Sequence, residues 1–306
     1  GRASDAFGSV EYTLKARENT ALQLIGKTAW HRARHSLQPQ YAQYAPFFGL
    51  DSSYTRLRQN AGQQQSRSIV SARLLTVRRS VQWMLEAGAD AHWGQLRSDL
   101  LLENAGGETW QPSPGDYRND LHLRSLRWFA SLSATRTFGD FLLRARLQQR
   151  YQPMRLRAPG LAPPTARLWA TEPRLDLRYT PGERSTFNVH YALRQDAPDL
   201  TALHPATLFS DYALAERGLP SLSFMPKQQA ALAYHFNDRL RQFSWNASAQ
   251  VQRTDHEFGT RYQINPYLSV QEAFRPVQSA SWSLRAAADR FFKEISCRAE
   301  RSWAAA

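Results

Sequence analysis

The sequence predicts an all-β fold, an antiparallel up-and-down transmembrane β-barrel of about twelve strands. Two observations support this prediction: apolar residues recur at every second position over long stretches, and short polar connections alternate with long ones. A period of two places alternate side chains on opposite faces of a strand, whereas a helix would spread them around its circumference. The chain has 306 residues, and we assign residues 1–306 to one barrel portion.

Composition argues against a disordered chain and against a membrane-spanning helix. Hydrophobic types make up 42% of the residues and aromatic types 12%, which is more than a disordered chain carries. Mean hydropathy is −0.57, and no apolar run approaches the roughly 18 residues that a spanning helix needs. A membrane barrel remains open, because its strands are apolar only at alternate positions and score as polar on average.

The alternation is longest between Val81 and Trp93, where every odd position is apolar and the even positions are polar or small apart from Met84. Several of the predicted strands reach the roughly 9–11 residues that a strand needs to cross a bilayer. The apolar members of further predicted strands are Val10, Tyr12, Leu14 and Ala16; Phe141, Leu143, Ala145 and Leu147; Phe187, Val189, Tyr191 and Leu193; Phe243, Trp245, Ala247, Ala249 and Val251; and Trp282, Leu284, Ala286 and Ala288.

The connections between these strands alternate in length. Tight turns are predicted at residues 17–20, at Thr180–Arg184 and at Asn237–Asp238. The long polar stretches between them are residues 35–67, 104–118, 153–166, 196–226 and 254–276. Outer-membrane barrels show this order, because their periplasmic turns are short and their extracellular loops long.

The two faces of the predicted strands differ in chemistry. We expect the apolar face to contact lipid and its aromatic residues to form two rows at the membrane interfaces. Arginine at mid-depth on a lipid face costs about 2–4 kcal/mol, so the arginines are expected on the opposite, wet face. A core sealed around Trp83, Phe187 and Trp245 would contradict this orientation. The arginines of the wet face include Arg144, Arg146, Arg174 and Arg178, with Glu86, Asp90 and Asp176 as acidic partners.

Basic residues exceed acidic ones, with 39 Lys and Arg against 26 Asp and Glu and a net charge of +13. Such an excess favours an anionic partner. We expect outer-membrane lipid and lipopolysaccharide as partners, through the phosphate groups that loop arginines such as Arg56, Arg58, Arg118 and Arg155 can bind. The arginines are spread over the strands without a basic run, which argues against a nucleic acid.

Motifs of the common enzyme classes are missing from the sequence. It contains no glycine-rich phosphate loop, no HExxH and no GxSxG, and no spacing of Ser, His and Asp singles out a triad. A single cysteine, Cys297, excludes an intramolecular disulfide and a cysteine-based metal site. His31 and His35 share a strand face without nearby carboxylates in the sequence. We therefore expect no enzyme, no catalytic residue, no cofactor and no metal.

An ordered set of residues follows the strand at residues 186–194. Leu-His-Pro stands at 203–205, Asp at 211, Gly-Leu-Pro-Ser-Leu at 218–222 and Pro at 226, where a new strand begins. This stretch of about forty residues resembles the barrel of TonB-dependent-receptor-like outer-membrane proteins, with His204 and Leu219 in place of two asparagines of the family pattern. Since Gly and Pro fix backbone shape, the resemblance implies structural roles for Leu203, Pro205, Asp211, Gly218, Pro220, Leu222 and Pro226.

The resemblance also implies a function and a location. It implies an outer-membrane receptor and transporter that binds and imports a nutrient or chelate, with loops 35–66 and 196–226 as candidate substrate-binding segments. Coupling to the TonB system would run through a plug domain, which this chain lacks, so we expect part of a larger barrel of the 22-stranded type. The alternatives are a plugless outer-membrane pore or adhesin barrel, and a soluble basic all-β binding module.

Overall fold

The computed structural model describes residues 2–38, 47–50, 54–112, 114–211, 213–264, 269–292 and 297–305. One large sheet of fifteen strands dominates it. A helix of four residues, Pro114–Tyr117, and a 3-10 helix, Leu200–Ala202, lie in connections. The strands are β1 (Arg2–Arg17), β2 (Thr20–Leu37), β3 (Tyr54–Arg78), β4 (Val81–Asn104), β5 (Thr109–Trp110), β6 (Asn119–Phe138), β7 (Phe141–Arg157), β8 (Thr165–Tyr179), β9 (Ser185–Asp196), β10 (Leu208–Asp211), β11 (Leu214–Arg217), β12 (Met225–Asp238), β13 (Phe243–Ile264), β14 (Ser269–Phe292) and β15 (Cys297–Ala305).

The long strands follow one another across the sheet in chain order, each antiparallel to its neighbours. Leaving out the short strands β5, β10 and β11, twelve strands form this up-and-down series, which confirms the predicted all-β class, the strand order and the approximate strand number. Within the described residues, β1 pairs only with β2 and β15 only with β14, so the sheet is open. No helix in the described part of the chain has both the length and the apolar character to span a membrane.

Connection lengths alternate as predicted, with corrections at one turn and at three of the long loops. Turns at 18–19, 79–80, 139–140, 180–184 and 239–242 lie at one end of the sheet, which we call the short-turn end. The strand ends joined by longer connections, those of β2 and β3, of β4 and β6, of β7 and β8 and of β9 and β12, lie at the other end of the sheet, which we call the loop end. The predicted turn at Asn237–Asp238 is wrong, because both residues end β12. The Asp238 carboxylate accepts hydrogen bonds from the backbone N–H groups of Leu240 and Arg241 and so shapes the turn at 239–242.

Three stretches predicted as long loops are strand over half or more of their length. In the stretch 35–67, the first residues belong to β2 and the last to β3. In 153–166 only 158–164 lie outside strands, and the described residues of 254–276 belong to β13 and β14. The apolar residues of these strand ends do not continue the alternation of the strand centres, since Met154 and Leu156 of β7 lie on the opposite face from Phe141 and Leu143. The backbone ladders nevertheless continue. The remaining parts of these predictions at 39–46, 51–53 and 265–268 lie outside the described residues.

The apolar face of the sheet is its exposed face, as predicted. Trp83, Phe187 and Trp245 keep 39%, 38% and 37% of their surface exposed and do not meet in a core. The opposite, polar face carries ion pairs between strands, including Arg73 of β3 with Glu86 of the neighbouring β4, and Arg146 of β7 with Glu86 across β6. Arg174 pairs with Asp176 on the same face. The apolar side chains therefore lie on the exposed face and the charged side chains on the opposite face, as predicted.

Aromatic residues form two rows on the apolar face. Near the short-turn end, ring contacts run with centroid distances of 4.2 to 6.1 Å through Phe138, Phe141, Tyr179, Phe187, Tyr234 and Trp245. The second row consists of Trp128, Tyr151 and Trp169, each ten positions along its strand from Phe138, Phe141 and Tyr179. Ten residues rise about 34 Å along a strand. At a tilt of about 40° this gives about 26 Å, close to the apolar band of membrane barrels.

Between the second aromatic row and the loop end, the apolar residues change from one face of the sheet to the other. On β4 the apolar residues occupy odd positions up to Trp93, whereas the buried apolar residues beyond it, Leu96, Leu100 and Leu102, occupy even positions. Arg97 and Asp120 form an exposed ion pair on the opposite face. On β6 and β7 the buried residues beyond this level are Leu121, Leu123, Met154 and Leu156. The face of the sheet that is polar between the two aromatic rows thus carries apolar, buried residues at the loop end.

Two buried clusters fill the loop end. The first joins Leu96, Leu121, Leu123, Met154, Leu156 and Ala158 to Leu200 and Leu203 of the connection at 197–224. The second joins Leu57, Leu100 and Leu102 to Phe209 and Ala215 of the same connection, with Val270 packed against them. Val270 belongs to β14 and Leu57 to β3, which are eight positions apart in the strand order. The sheet must therefore curve strongly around its polar face.

Candidate functional site

The connection between β9 and β12, residues 197–224, folds back over the polar face; we call it the inner loop. Its backbone is held by side chains of the sheet. The Phe209 N–H donates to Gln59 Oε1 at 2.7 Å, and the Asn119 side-chain amide both accepts from Ala206 N–H and donates to the Ala206 carbonyl. At its far side β11 pairs in parallel with β14. The inner loop therefore links both sides of the curved sheet.

The conformation of the inner loop depends on Gly218. Its N–H donates to the carbonyl of His204 at 2.9 Å, and the next N–H, from Leu219, donates to the carbonyl of Ala202 at 2.9 Å. A Cβ atom at Gly218 would lie 2.4 Å from the Ala202 carbonyl oxygen. Only glycine fits this close approach of two backbone segments.

His204 is buried inside the inner loop. Its Nδ1 lies 2.9 Å from the Ala206 carbonyl, to which a neutral ring protonated at Nδ1 donates. Burial lowers the pKa of His204, and the Ala206 carbonyl and the Glu216 carboxylate offset this in part. The ring therefore acts as a neutral hydrogen-bond donor to a carbonyl two residues further along the loop.

The seven residues of the family pattern lie in the inner loop or directly after it: Leu203, Pro205, Asp211, Gly218, Pro220, Leu222 and Pro226. Leu203 is in the first buried cluster, and Leu222 packs against it. The Pro205 carbonyl accepts from Arg217 Nε at 2.8 Å. Asp211 is the last residue of β10, and Pro226 is the second residue of β12. Leu203, Gly218 and Leu222 take part in the packing of the inner loop, and the structural roles of the other four positions stay predictions.

A cleft of about 540 Å³ opens between the start of the inner loop and the polar face. It faces Ala197 and Pro198 on the loop side, and it extends to the edge of the sheet at β1 and β2. The polar groups on the sheet side that matter for its chemistry are Arg67, Asp90, His92, Arg127 and Gln152. These residues come from the four consecutive strands β3, β4, β6 and β7.

Asp90 is the electrostatic centre of the cleft wall. Its side chain is only 4% exposed. Arg67 donates to it from Nε at 3.0 Å and from Nη2 at 2.7 Å, and Arg127 donates from Nη2. Gln152 donates from Nε2 to Ser125 Oγ at 2.7 Å and closes the wall beside this group.

The cleft has donors in excess of its acceptors. The two arginines bring more N–H groups than the one carboxylate can accept, and the buried Nε of Arg127 has no hydrogen-bond partner. Arg67 is half exposed. A small ligand rich in carboxylate, phenolate or carbonyl oxygens suits such a wall.

The described residues contain no group of three His, Cys, Asp or Glu side chains that could hold a metal ion. At the edge of the cleft, His31 Nδ1 lies 2.5 Å from Asp5 Oδ1, so its partner comes from the neighbouring strand β1. His35 lies four residues further along β2.

The predicted substrate-binding segments agree only in part with this site. The segment 196–226 coincides with the inner loop, whereas much of 35–66 is strand β2 or β3. Asp90 was expected to pair with an arginine, but its partners Arg67 and Arg127 were not identified in the sequence. Arg67 is the last residue of the stretch 35–67, which we predicted as a loop. Arg127 stands at an odd position of β6 and so shares the polar face with Asp90, which the period of two could have indicated.

The fold matches transporters and receptors of known structure. The copper transporter OprC aligns with 99% of this chain and 53% of its own length, at 11% identity and a TM-score of 0.54. The ferric-catecholate import receptor Fiu from E. coli K12 aligns with 99% of this chain and 47% of its own at 8% identity and 0.57. The ferric citrate transporter FecA aligns with 99% of this chain and 42% of its own at 7% identity and 0.60.

These likenesses define the class of fold, a receptor-type barrel sheet, and the matched proteins are transporters and receptors, not enzymes. The chain spans about half the length of the structures it matches. No protein-family model and no curated protein matches the sequence.

Proposed function

We propose that this chain is the barrel portion of a TonB-dependent-receptor-like protein of the bacterial outer membrane, which binds and imports a small nutrient or chelate. The observation that carries the proposal is the change of face at the level of Trp93, Arg124 and Arg155, which are cross-strand partners. Between this level and the short-turn end the exposed face is apolar, and between this level and the loop end the exposed face is charged. A boundary between lipid and water at that level accounts for both halves of the pattern.

The position of the cleft supports a binding role. The cleft lies on the polar face, where the interior of a barrel would be, and it is partly covered by the inner loop. Its donor-rich wall suits an oxygen-rich chelate, and the matched proteins include a ferric citrate transporter and a ferric-catecholate import receptor. Coupling to the TonB system through a plug domain belongs to the same proposal.

Spin labels on one strand test the membrane orientation. In a Cys297→Ser background of the full-length protein, single cysteines at Ala230, Ala231, Leu232 and Ala233 of β12 receive a nitroxide label. Labels at 230 and 232 should relax faster with oxygen, and labels at 231 and 233 with a water-soluble nickel chelate, because successive residues face opposite sides. Equal accessibility at all four positions would contradict the proposal.

Transport is tested separately in cells. Uptake of ferric citrate labelled with radioactive iron, and of copper, is compared between cells with and without the full-length protein and between cells with and without TonB. Uptake of one of these substrates should require both. If uptake of both substrates is the same with and without the protein and with and without TonB, the import part of the proposal is wrong. The membrane orientation is then judged from the spin-label result alone.

A further inference from the structure

Phe7 is a large apolar residue on the polar face of the sheet. Its cross-strand partner on β2 is Ala29, whose partner on β3 is Arg67, so Phe7 faces the same side as Arg67. The other large apolar residues of β1 are at even positions and lie on the opposite face: Val10, Tyr12 and Leu14. Phe7 is 73% exposed and lines the cleft at Asp90. An exposed ring among charged groups offers a contact surface to an apolar part of a ligand.

A second cavity, of about 430 Å³, lies next to the cleft, between the strands β1 to β4 and the inner loop. We call it the alanine pocket. Its apolar lining consists of alanines from three strands, a leucine of β4 and two residues of the inner loop: Ala3, Ala33, Ala61, Leu96, Leu208 and Phe209. Arg34 also lines it, but Arg34 follows Ala33 directly, so its side chain points to the opposite face. Among the described residues, no carboxylate lines this pocket.

The cleft and the alanine pocket follow one another along the same strands. On each of β1, β2 and β3, a residue of the pocket stands two positions from a residue of the cleft: Ala3 and Asp5, Ala33 and His31, and Gln63 and Gln65. Two positions correspond to about 7 Å on one face of a strand. The inner loop lies over both, since Pro198 lines the cleft and Thr201 lines the pocket. A ligand longer than the cleft therefore extends into the alanine pocket beneath the same loop.

The two cavities differ in chemistry. The cleft wall carries the guanidinium groups of Arg67 and Arg127, which suit carboxylate, phenolate or carbonyl oxygens. The alanine pocket is apolar at Leu96, Leu208 and Phe209, so an alkyl chain gains affinity there by leaving water, about three- to fourfold for each buried methylene. A molecule that consists only of oxygen-rich groups would use the first cavity and leave the second unused.

We infer that the ligand of the cleft is amphiphilic, with an oxygen-rich head held by Arg67 and Arg127 and an aliphatic tail that lies in the alanine pocket. The tail passes Phe7, which accounts for a large apolar side chain on the polar face. The inference deepens the proposed function and rests on it, since it takes the cleft to be the ligand site. It narrows the class of ligand from an oxygen-rich chelate to one that carries an alkyl or acyl chain.

A series of N-acylaspartates tests this inference, because its members share a dicarboxylate head and differ only in the length of the tail. Isothermal titration measures the affinity of N-acetyl-, N-hexanoyl- and N-octanoylaspartate for the full-length protein in lipid nanodiscs. Empty nanodiscs correct for the partition of the tails into lipid. N-Octanoylaspartate should bind at least tenfold more tightly than N-acetylaspartate, with the hexanoyl compound between them, because burial of two methylenes already tightens binding about tenfold.

Two variants separate the head from the tail. Ala61→Phe should fill the alanine pocket and reduce the advantage of the octanoyl tail to about threefold or less, while N-acetylaspartate binds as before. Arg67→Gln should weaken all three compounds by about the same factor, roughly tenfold, because the head loses a charged donor. Ala233→Phe, on the polar face of β12 and outside both cavities, is the matched control and should behave like the wild type.

The outcomes distinguish the inference from the proposed function. Equal affinity of the wild type for all three compounds would overturn the inference and leave the ligand site in place. A tail advantage that persists in Ala61→Phe would also overturn it, because the tail would then lie outside the alanine pocket. If none of the compounds binds, the inference is wrong as well, and the uptake of ferric citrate and copper then shows whether the proposed function fails with it.

Discussion

The carboxylate of Asp90 on β4 is held by Arg67 on β3, whose Nη2 lies 2.7 Å from Asp90 Oδ2. Arg127 on β6 donates to the same oxygen, so one buried acid balances two arginines from the strands on either side. A buried charge is costly when its partner is removed, more so than the pair itself stabilises. The stability of the polar face therefore depends on this acid.

Asp90→Asn should lower the free energy of unfolding by about 3 kcal/mol, because it leaves two arginines without an anionic partner. Denaturant unfolding in detergent or lipid measures the change. Asp176→Asn is the control, since Asp176 is 34% exposed and also pairs with a basic residue; its effect should be about 1 kcal/mol or less. Equal losses for both variants would show that burial of Asp90 contributes little.

Gly218→Ala should release the inner loop. The added Cβ would lie 2.4 Å from a backbone carbonyl oxygen, so the backbone at 202–204 and 218 must separate. Hydrogen exchange of the Gly218 and Leu219 amides should become at least tenfold faster, while the β12 amides keep their protection. Gly62→Ala is the matched control, because a Cβ there meets nothing within 4 Å. Unchanged exchange in Gly218→Ala would disprove the required close approach.

Docking of the inner loop should weaken in acid because of His204. Burial lowers the pKa of His204 in the folded loop, so the released loop binds the proton more readily. The stabilisation is complete above the unfolded pKa of about 6.5 and decreases as the pH falls below it. Protease cleavage within residues 197–224 should accordingly increase between about pH 7 and pH 5.

His204→Asn separates this titration from other effects of acid. An asparagine amide at this position can donate to the Ala206 carbonyl but does not titrate. Cleavage of this variant should be nearly independent of pH, with docking retained at neutral pH. If the variant keeps the acid response of the wild type, a group other than His204 is responsible.

Leu147 and Gln148 are adjacent residues of β7 on opposite faces. Leu147→Arg places a charge on the apolar face near the middle of the band between the aromatic rows, at a cost of about 2–4 kcal/mol in a membrane. Gln148→Arg places it on the polar face opposite Glu172 and should be tolerated. Heat-modifiable migration of the two variants in gels measures assembly. Normal assembly of both would contradict a lipid-facing Leu147.

The strands within the apolar band could be predicted from the sequence because their alternation is a local signal. Val81 to Trp93 shows it without interruption, and β4 forms there. The signal ends where the faces change: beyond Trp93 the apolar residues of β4 move to even positions, and the strand continues to Asn104 although the earlier pattern stops. When the apolar residues of one strand move from odd to even positions, the sequence alone suggests that the strand ends there. The continuation becomes evident only when neighbouring strands show the same move at the same level of the sheet.

The inner loop could be located but its packing could not. Leu203 and Phe209 stand in a segment without regular alternation that we predicted as a loop, yet both are buried. Their contacts come from residues far away in the chain; Phe209 and Gln59 are 150 positions apart. Only the three-dimensional arrangement brings Arg67, Asp90 and Arg127 to one wall, although the period of two assigns Asp90 and Arg127 to the same side.

The second buried cluster also constrains the order in which the molecule is built. Hairpins such as the one at 139–140 need only neighbouring residues and can form early. Leu57, Phe209 and Val270 must all be present before that cluster is sealed, and Val270 belongs to one of the last strands. The loop end therefore closes at the final stage of folding, and a nascent chain that stops before β14 leaves Leu57 and Phe209 exposed to aggregation and to quality-control proteases.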